Sequence, residues 1–312
     1  MAQGALAQRC YPRKRGRAEV ATSATSSATS SSTPDQLLVV VDPVARRTDG
    51  ESVRIAKDVL SAGAAGTKVC LPDGPEEFAR ALRRRGSRRP VLVGDDRALV
   101  RAVSLLHRQR ELAGCALSLV PVGGASALAR SLGVPTSAVA AARAVLDGAE
   151  RRMDLLVDDS DGVVLGALRI PPLGAVRERG AVDGEPAPPW PWLHTCRSLV
   201  RTLLPARPSP LTPVPEAGPA RLRVEVDGET LIDLRQPVES VSVTPTAAGT
   251  ARVEVRPLSV GAEASPLLAE ARTVTVSGAH FRYRADATIS GPVRTRTWVV
   301  RAGAWGLTVP VG

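Results

Sequence analysis

The sequence predicts two domains: an α/β N-terminal domain with a parallel, three-layer sheet, and an all-β C-terminal sandwich domain. Between residues 37 and 150, short apolar runs alternate with stretches of helical spacing, a pattern typical of a parallel sheet with helices on both faces. From residue 151 onward strand-like stretches dominate, separated by turn residues at nearly regular spacing, which indicates an antiparallel sandwich. A length of 312 residues is sufficient for two domains.

Residues 1–36 are expected to form a disordered leader ahead of the α/β domain. Residues 18–34 are almost wholly Ala, Ser and Thr, which cannot bury a core, and the residues before them are rich in arginine. No RNA- or DNA-binding motif accompanies these basic residues, so nucleic acid is not the expected partner. Nucleic-acid binding through the leader is kept as an alternative, and it predicts that removal of residues 1–34 abolishes binding.

The elements of the α/β domain follow from its apolar pattern. Residues 37–41 are a continuous apolar run, as a strand buried on both faces requires. Pro75 suits the first position of a helix, and Glu76 and Glu77 favour the positive end of the helix dipole. The pattern predicts strands at residues 37–41, 67–71, 90–93 and 116–120, and helices at residues 52–62, 75–84, 95–111, 124–132 and 135–148.

The C-terminal domain, residues 151–312, contains a proline-rich insertion at residues 171–219, within which one short helix is predicted at residues 192–204. The remaining stretches alternate between apolar and polar residues, as expected of antiparallel strands with one buried face. They predict strands at residues 154–157, 163–168, 221–226, 238–243, 251–255, 273–276, 281–284, 297–300 and 306–309. The last strand is expected to lock into the sandwich.

Charge and composition indicate what kind of partner the protein binds and where in the cell it is expected. The formal net charge is +10, which suggests an anionic partner such as a phosphate, a lipid headgroup or a nucleic acid. The four cysteines show no metal-ligand spacing and are expected to be reduced thiols. Neither a run of about 18 apolar residues nor the apolar core of a secretory signal is found. These features predict a cytoplasmic protein whose membrane contact is at most peripheral, at the inner face of the membrane.

Four stretches resemble the motifs of one family. Residues 121–135, PVGGASALARSLGVP, resemble the P-x-G-T-x-N-D-x-A-R-x-L-G-I-P motif of diacylglycerol and sphingosine kinases, and residues 91–98, VLVGDDRA, are similar to their V-x-G-G-D-G-T. Residues 38–43, LVVVDP, stand where that family has its first strand and an N-P turn. Residues 297–310, TWVVRAGAWGLTVP, resemble its closing strands. Because order and spacing also agree, the chain resembles this lipid kinase family over residues 37–310.

The resemblance implies a cleft between the two domains in which ATP, with Mg²⁺, passes its γ-phosphoryl group to a lipid hydroxyl. At the matching positions, Asp96 and Asp286 would be the catalytic carboxylates, and Asp96 would hold Mg²⁺. The implied substrate is a diacylglycerol-like lipid, and the formation of a homodimer is left open. The nucleotide would contact the turns after the first, third and fourth strands, at Asp42, Gly94, Asp95, Arg97, Gly123, Gly124 and Ser126.

Several positions depart from the family's pattern. The second glycine of G-G-D-G-T is replaced by Asp95, whose carboxylate would repel a triphosphate. The next glycine is replaced by Arg97, which could neutralise Asp95 or bind a phosphate. The family's D-G-E triad, whose Glu is the base, falls at residues 286–288, where Thr288 occupies the base position. In the P-x-G-T-x-N-D motif, the Thr, Asn and Asp positions hold Gly124, Ser126 and Ala127.

Two structural alternatives and two functions are left open. Residues 94–96 form either a nucleotide site or simply the start of a helix with an acidic N-cap. A complete D-G-E stands at residues 227–229, so Glu229 is either a substitute base or part of a hairpin turn. The chain is then either a lipid kinase with altered or lost catalysis, or a non-enzymatic pseudo-kinase that binds a nucleotide, an anionic lipid or a protein.

Overall fold

The computed structural model describes residues 36–171, 220–258 and 265–311. Of the predicted leader, residues 1–36, only Gln36 is described, and it begins the first strand. Of the predicted proline-rich insertion, residues 171–219, only Pro171 is described, and the helix predicted at residues 192–204 lies outside the described residues. No helix within the described ranges is long and apolar enough to cross a membrane.

The N-terminal part contains four parallel strands in the order β2–β1–β3–β4. These strands are β1 (Gln36–Val41), β2 (Gly66–Cys70), β3 (Arg89–Gly94) and β4 (Ala116–Pro121). The helices that connect and follow them are α1 (Pro43–Thr48), α2 (Gly50–Gly63), α3 (Pro75–Arg83), α4 (Asp96–Arg108), α5 (Ala127–Ser131) and α6 (Ala138–Asp147).

Helices cover both faces of this parallel sheet. Successive side chains of a strand point to opposite faces, so the apolar run of β1 serves two cores. Leu37, Val39 and Val41 pack in a cluster with residues of α2 and α6, whereas Leu38 and Val40 pack in a second cluster with residues of α3 and α4. All five side chains are buried. The N-terminal part therefore has the predicted three-layer α/β arrangement.

The C-terminal part is rich in strands, as predicted. Its strands are β5 (Ala149–Asp158), β6 (Val163–Val164), β7 (Leu168–Ile170), β8 (Ala220–Val226), β9 (Glu229–Ile232), β10 (Pro237–Pro245), β11 (Ala251–Pro257), β12 (Leu267–Ala271), β13 (Thr273–Ala285) and β14 (Thr288–Val309). Three short elements, α1, β9 and β12, were not predicted, because none is long enough to show a distinct apolar period.

Two long strands replace four predicted short ones. The stretches predicted at residues 273–276 and 281–284 are parts of β13, and those predicted at 297–300 and 306–309 are parts of β14. The turn-like residues between them coincide with irregularities in strand pairing, one between Ser277 and Phe281 and one between Arg301 and Trp305. Bulges of this kind accommodate extra residues without ending a strand, so a pattern of turn residues overestimates the number of strands.

The predicted sandwich is not confirmed, because the strands of both parts belong to one 14-stranded sheet. Strand β14 joins them: it is antiparallel to β13 and β5, and it is parallel to β4 at Gly306 and Leu307. The last strand, which was expected to lock into a C-terminal sandwich, pairs with C-terminal strands and also with β4 of the N-terminal part. Trp298 and Trp305, both fully buried on β14, belong to the C-terminal and N-terminal clusters respectively.

Candidate functional site

A cleft of about 940 Å³ lies between the N-terminal helices and the C-terminal strands. Its walls are formed by the first turns of α4 and α5, by β5, by residues 165–169, by the end of β10 and by the β13–β14 turn. Most lining side chains are apolar or small, and the charged ones are all arginines and aspartates. The charged residues are Asp96, Arg97, Arg151, Arg152, Asp154, Arg169, Arg284 and Asp286.

Asp96 begins helix α4 and is only 5% exposed. Its Oδ2 accepts a hydrogen bond from the amide of Leu128 at 2.9 Å, and its Oδ1 accepts one from the amide of Ala129 at 3.0 Å. Asp96 thus caps the short helix α5 from a neighbouring helix, while Ser126, the N-cap residue, makes no side-chain capping bond. Each carboxylate oxygen has two lone pairs, so this capping leaves acceptor capacity for a cation.

Asp286 occupies the two-residue turn between β13 and β14, with a positive φ of 49°. Its carboxylate accepts hydrogen bonds from the amides of Leu165, Gly166 and Ala167, at 2.7, 2.7 and 3.0 Å. Burial raises the pKa of this carboxyl, the three backbone bonds act in the opposite direction, and the charge of Asp96 adds to the rise. The two predicted catalytic carboxylates therefore share one cleft and interact electrostatically.

Asp95 caps helix α4 through a hydrogen bond that its Oδ1 accepts from the amide of Ala98 at 3.0 Å. The other oxygen lies against the loop after β4, since a Cβ added to Gly124 would come within 2.7 Å of Asp95 Oδ2 and 2.9 Å of its Cβ. The acidic N-cap that was one of the two alternatives for residues 94–96 is thus present. It also puts a carboxylate against the loop where the resemblance expects nucleotide phosphates.

Three other predicted nucleotide contacts are held by packing or ion pairing, and none of them lines the cleft. Asp42 is 2% exposed, caps α1 through the amide of Val44 at 2.9 Å, and accepts a bond from Arg101 at 2.8 Å. A Cβ on Gly94 would lie 2.8 Å from Ala98 Cβ. Gly123 has a φ of +87°, and a Cβ there would lie 2.4 Å from Thr48 Oγ1, so only glycine fits this turn.

The base position and its substitute both lie outside the cleft lining. Thr288 is exposed at the start of β14, directly after the turn that contains Asp286. Glu229 is exposed at the start of β9, where it pairs with Val226 across a two-residue hairpin. The Asp227 carboxylate in that hairpin accepts bonds from the amides of Arg272 and Thr273. These contacts favour the hairpin interpretation of residues 227–229.

Sequence analysis missed the arginines that the β-sheet brings to the cleft. Arg169 and Arg284 belong to strands β7 and β13, which are far apart in the sequence and adjacent in the sheet. Arg97 was predicted and does line the cleft, with its side chain exposed. Asp154, also missed, accepts bonds from the amides of Gly249 and Gly303 at 2.8 and 2.7 Å. Only strand pairing brings Arg169 and Arg284 together, and no local pattern in the sequence signals it.

The carboxylates of the cleft fit a Mg²⁺ ion that a nucleotide brings with it. Among the described residues, no group of three or more His, Cys, Asp or Glu side chains is arranged to hold a metal ion. In phosphoryl-transfer sites, however, one or two carboxylates and the substrate's phosphates usually hold Mg²⁺. Asp96, with Asp286 in the same cleft, meets that smaller requirement. The exposed Gly123–Gly124 turn would present backbone amides to phosphates. The negative charge of the Asp95 carboxylate, which lies against Gly124, would repel phosphates at this turn.

Comparison with known proteins gives a match for the N-terminal part of the chain. Residues 36–157 match the family model of the diacylglycerol kinase catalytic domain. No curated protein matches the sequence.

Two solved structures from Bacillus anthracis str. Sterne have a similar fold. One, a candidate diacylglycerol kinase, is 15% identical with a TM-score of 0.61, covering 88% of this chain and 98% of its own. The other, a diacylglycerol kinase, is 12% identical with a TM-score of 0.61, covering 89% of this chain and 97% of its own. At such low identities the two structures show a similarity of fold alone. The assignment to a family rests on the match of residues 36–157 to the family model. Residues 36–157 therefore form a diacylglycerol kinase-like catalytic domain.

Proposed function

We propose that the protein is a lipid kinase of the diacylglycerol kinase type, in which ATP with Mg²⁺ phosphorylates a lipid hydroxyl inside the cleft. The observation that carries the proposal is the convergence of Asp96 and Asp286, from the N-terminal and C-terminal parts, on the walls of one cleft. These are also the positions at which the family resemblance expects catalytic carboxylates. The proposal thus rests on geometry and on the family match together.

The apolar part of the cleft suits the chain of a diacylglycerol-like lipid. Leu128, Leu132, Met153 and Leu165 line it beside the two carboxylates. Burial of apolar surface would hold the acyl chain, with the hydroxyl near Asp286. Access to such a substrate would require peripheral contact of a cytoplasmic protein with the inner membrane face.

The two carboxylates would have different roles. Mg²⁺, when bound with ATP, would neutralise charge on the phosphates, and Asp96 would hold it. Asp286 would accept the proton of the lipid hydroxyl, because burial raises its pKa and Thr288 cannot serve as a base. The three amides that bind Asp286 stabilise its charged form and so reduce its basicity. For this reason we expect slow phosphoryl transfer.

The test is transfer of labelled phosphate from ATP·Mg²⁺ to diacylglycerol in mixed micelles. We expect Asp96→Asn and Asp286→Asn to abolish transfer. Asp227→Asn is the matched control, since Asp227 also lies in a two-residue hairpin with a φ of 49° and binds backbone amides, but away from the cleft. Transfer that survives in Asp286→Asn, or is lost equally in Asp227→Asn, would contradict the assigned roles.

The second candidate is a non-enzymatic pseudo-kinase that binds a nucleotide, an anionic lipid or a protein. One observation favours it: the Asp95 carboxylate lies against Gly124, in the loop where nucleotide phosphates are expected. Calorimetry with ATP·Mg²⁺ on the same preparation separates the two candidates. Absence of transfer by the unmodified protein, with or without nucleotide binding, would replace the first candidate by the second.

A further inference from the structure

Two arginines face each other across the sheet at the wall of the cleft. Arg169 on β7 and Arg284 on β13 are direct partners in the antiparallel register. Residues directly opposite in an antiparallel pair project from the same face, and like charges at such positions destabilise the sheet. Both side chains line the cleft. The free protein therefore holds two like charges side by side at an unfavourable position.

No side chain within the described ranges compensates these charges. Neither guanidinium makes an ion pair or a hydrogen bond there, and the buried Nε of Arg284 has no acceptor. The aspartates of the cleft accept bonds from backbone amides, two or more each for Asp96, Asp154 and Asp286, and within the described ranges none of them pairs with either arginine. Arg97, on the same cleft, adds a third cation without a partner among the described residues.

We propose that Arg169 and Arg284 bind the phosphate of a lipid phosphomonoester. Arginine forks match phosphate oxygens in a bidentate manner, and two guanidinium charges match the charge of nearly −2 that a phosphomonoester carries near neutral pH. The apolar wall at Leu128, Leu132 and Met153 gives the acyl chain a surface in the same cleft. The site rests on the proposed function for its lipid occupant, but it requires no phosphoryl transfer.

The test is binding of the full chain to phosphatidylcholine vesicles that contain phosphatidic acid, measured by flotation with ATP omitted. Vesicles with phosphatidylglycerol, a phosphodiester, serve as the comparison, and glycerol 3-phosphate and inorganic phosphate are measured by calorimetry. We expect Arg169→Gln and Arg284→Gln each to weaken phosphatidic acid binding at least tenfold. Arg282→Gln, two residues earlier on β13, exposed and outside the cleft lining, is expected to leave it unchanged.

Thermal stability distinguishes a ligand site from a structural one. If the arginines serve a ligand, their removal relieves repulsion, and the melting temperature of the free protein stays the same or rises. A lowered melting temperature with unchanged lipid binding would overturn the proposal. If phosphatidylglycerol binds as well as phosphatidic acid, the site does not select a phosphomonoester. If glycerol 3-phosphate binds with the same affinity as phosphatidic acid, the site does not select a lipid. Because ATP is omitted, a failure of kinase activity would not affect this result.

Discussion

Asp95 and Gly124 form a matched pair of substitutions between helix α4 and the loop after β4. By the family resemblance, Asp95 replaces a glycine and Gly124 replaces a threonine. A Cβ on Gly124 would lie 2.7 Å from Asp95 Oδ2, so the aspartate side chain fills the space that a threonine would need. On that resemblance, the two changes compensate each other in volume.

We predict that Gly124→Thr alone lowers the free energy of unfolding by about 1–3 kcal/mol through overpacking. Asp95→Gly alone removes a helix N-cap, which costs a few tenths of a kcal/mol. The double variant is expected to be more stable than Gly124→Thr by itself, because the clash is gone. Urea denaturation of the four proteins measures this coupling. Gly114→Thr is the control, since a Cβ at Gly114 meets nothing within 4 Å; strict additivity of the pair would contradict the prediction.

The ionisation of Asp286 predicts a pH dependence of stability. Its pKa is raised in the folded protein, chiefly by burial, so the folded state favours the protonated form. The corresponding stability is present below the unfolded pKa of about 3.9 and is lost as pH rises through the folded pKa. We therefore expect the unmodified protein to lose stability relative to Asp286→Asn as the pH is raised above about 4. Denaturation of both proteins over a pH series checks this, and parallel profiles would disprove it.

At the scale of elements, strand β14 is the connection between the two parts of the molecule. Its end pairs with β4 and β5, and Trp305, Leu307 and Val309 are buried in the core that includes α3 and α4. Its beginning pairs with β13 and is more exposed, with Ile289 half exposed at 50%. The N-terminal part is therefore completed by residues of β14.

We predict that Trp305→Ala lowers the free energy of unfolding by about 3–5 kcal/mol, the usual cost of truncating a fully buried aromatic side chain. The matched control is Ile289→Ala on the same strand, for which a change within about 0.5 kcal/mol is expected. Chemical denaturation followed by far-UV circular dichroism measures both. A loss of less than about 1 kcal/mol in Trp305→Ala would mean that β14 does not complete the N-terminal core.

At the scale of the whole molecule, the continuous sheet predicts cooperative unfolding. All described residues fall in a single compact unit, and β14 contributes Trp298 to one core and Trp305 to another. Separation of the two parts would break the pairing of β14 with either β13 or β4. The usual independence of two domains is therefore not expected here.

We predict the same urea midpoint for both parts. In a variant that retains only Trp298 or only Trp305, fluorescence reports on the C-terminal or the N-terminal core, and far-UV circular dichroism of the same variant reports on the whole molecule. Coincident transitions by the two probes would indicate a single cooperative unit. Two separated midpoints would show that the bulge between Arg301 and Trp305 allows the parts to unfold independently.

Local pattern determined the α/β class, the position of its strands and the residues of its motifs. The apolar run of β1 and the helical spacing of α2 depend on neighbours along the chain, so they can be derived from sequence alone. The same holds for Asp96 and Asp286 as candidate site residues, which motif order located but whose roles stay predictions.

The tertiary structure decided the contacts that join distant segments. Strand pairing made β14 a member of both parts and joined all strands in one sheet. The sequence does not show this, because the residues of a bulge resemble those of a turn. The tertiary structure also set Arg169 opposite Arg284, and it put the Asp95 carboxylate against Gly124. Strand register and side-chain proximity depend on long-range packing, which the apolar period of a single segment does not report. The contacts that this packing creates establish the charge and shape of the cleft.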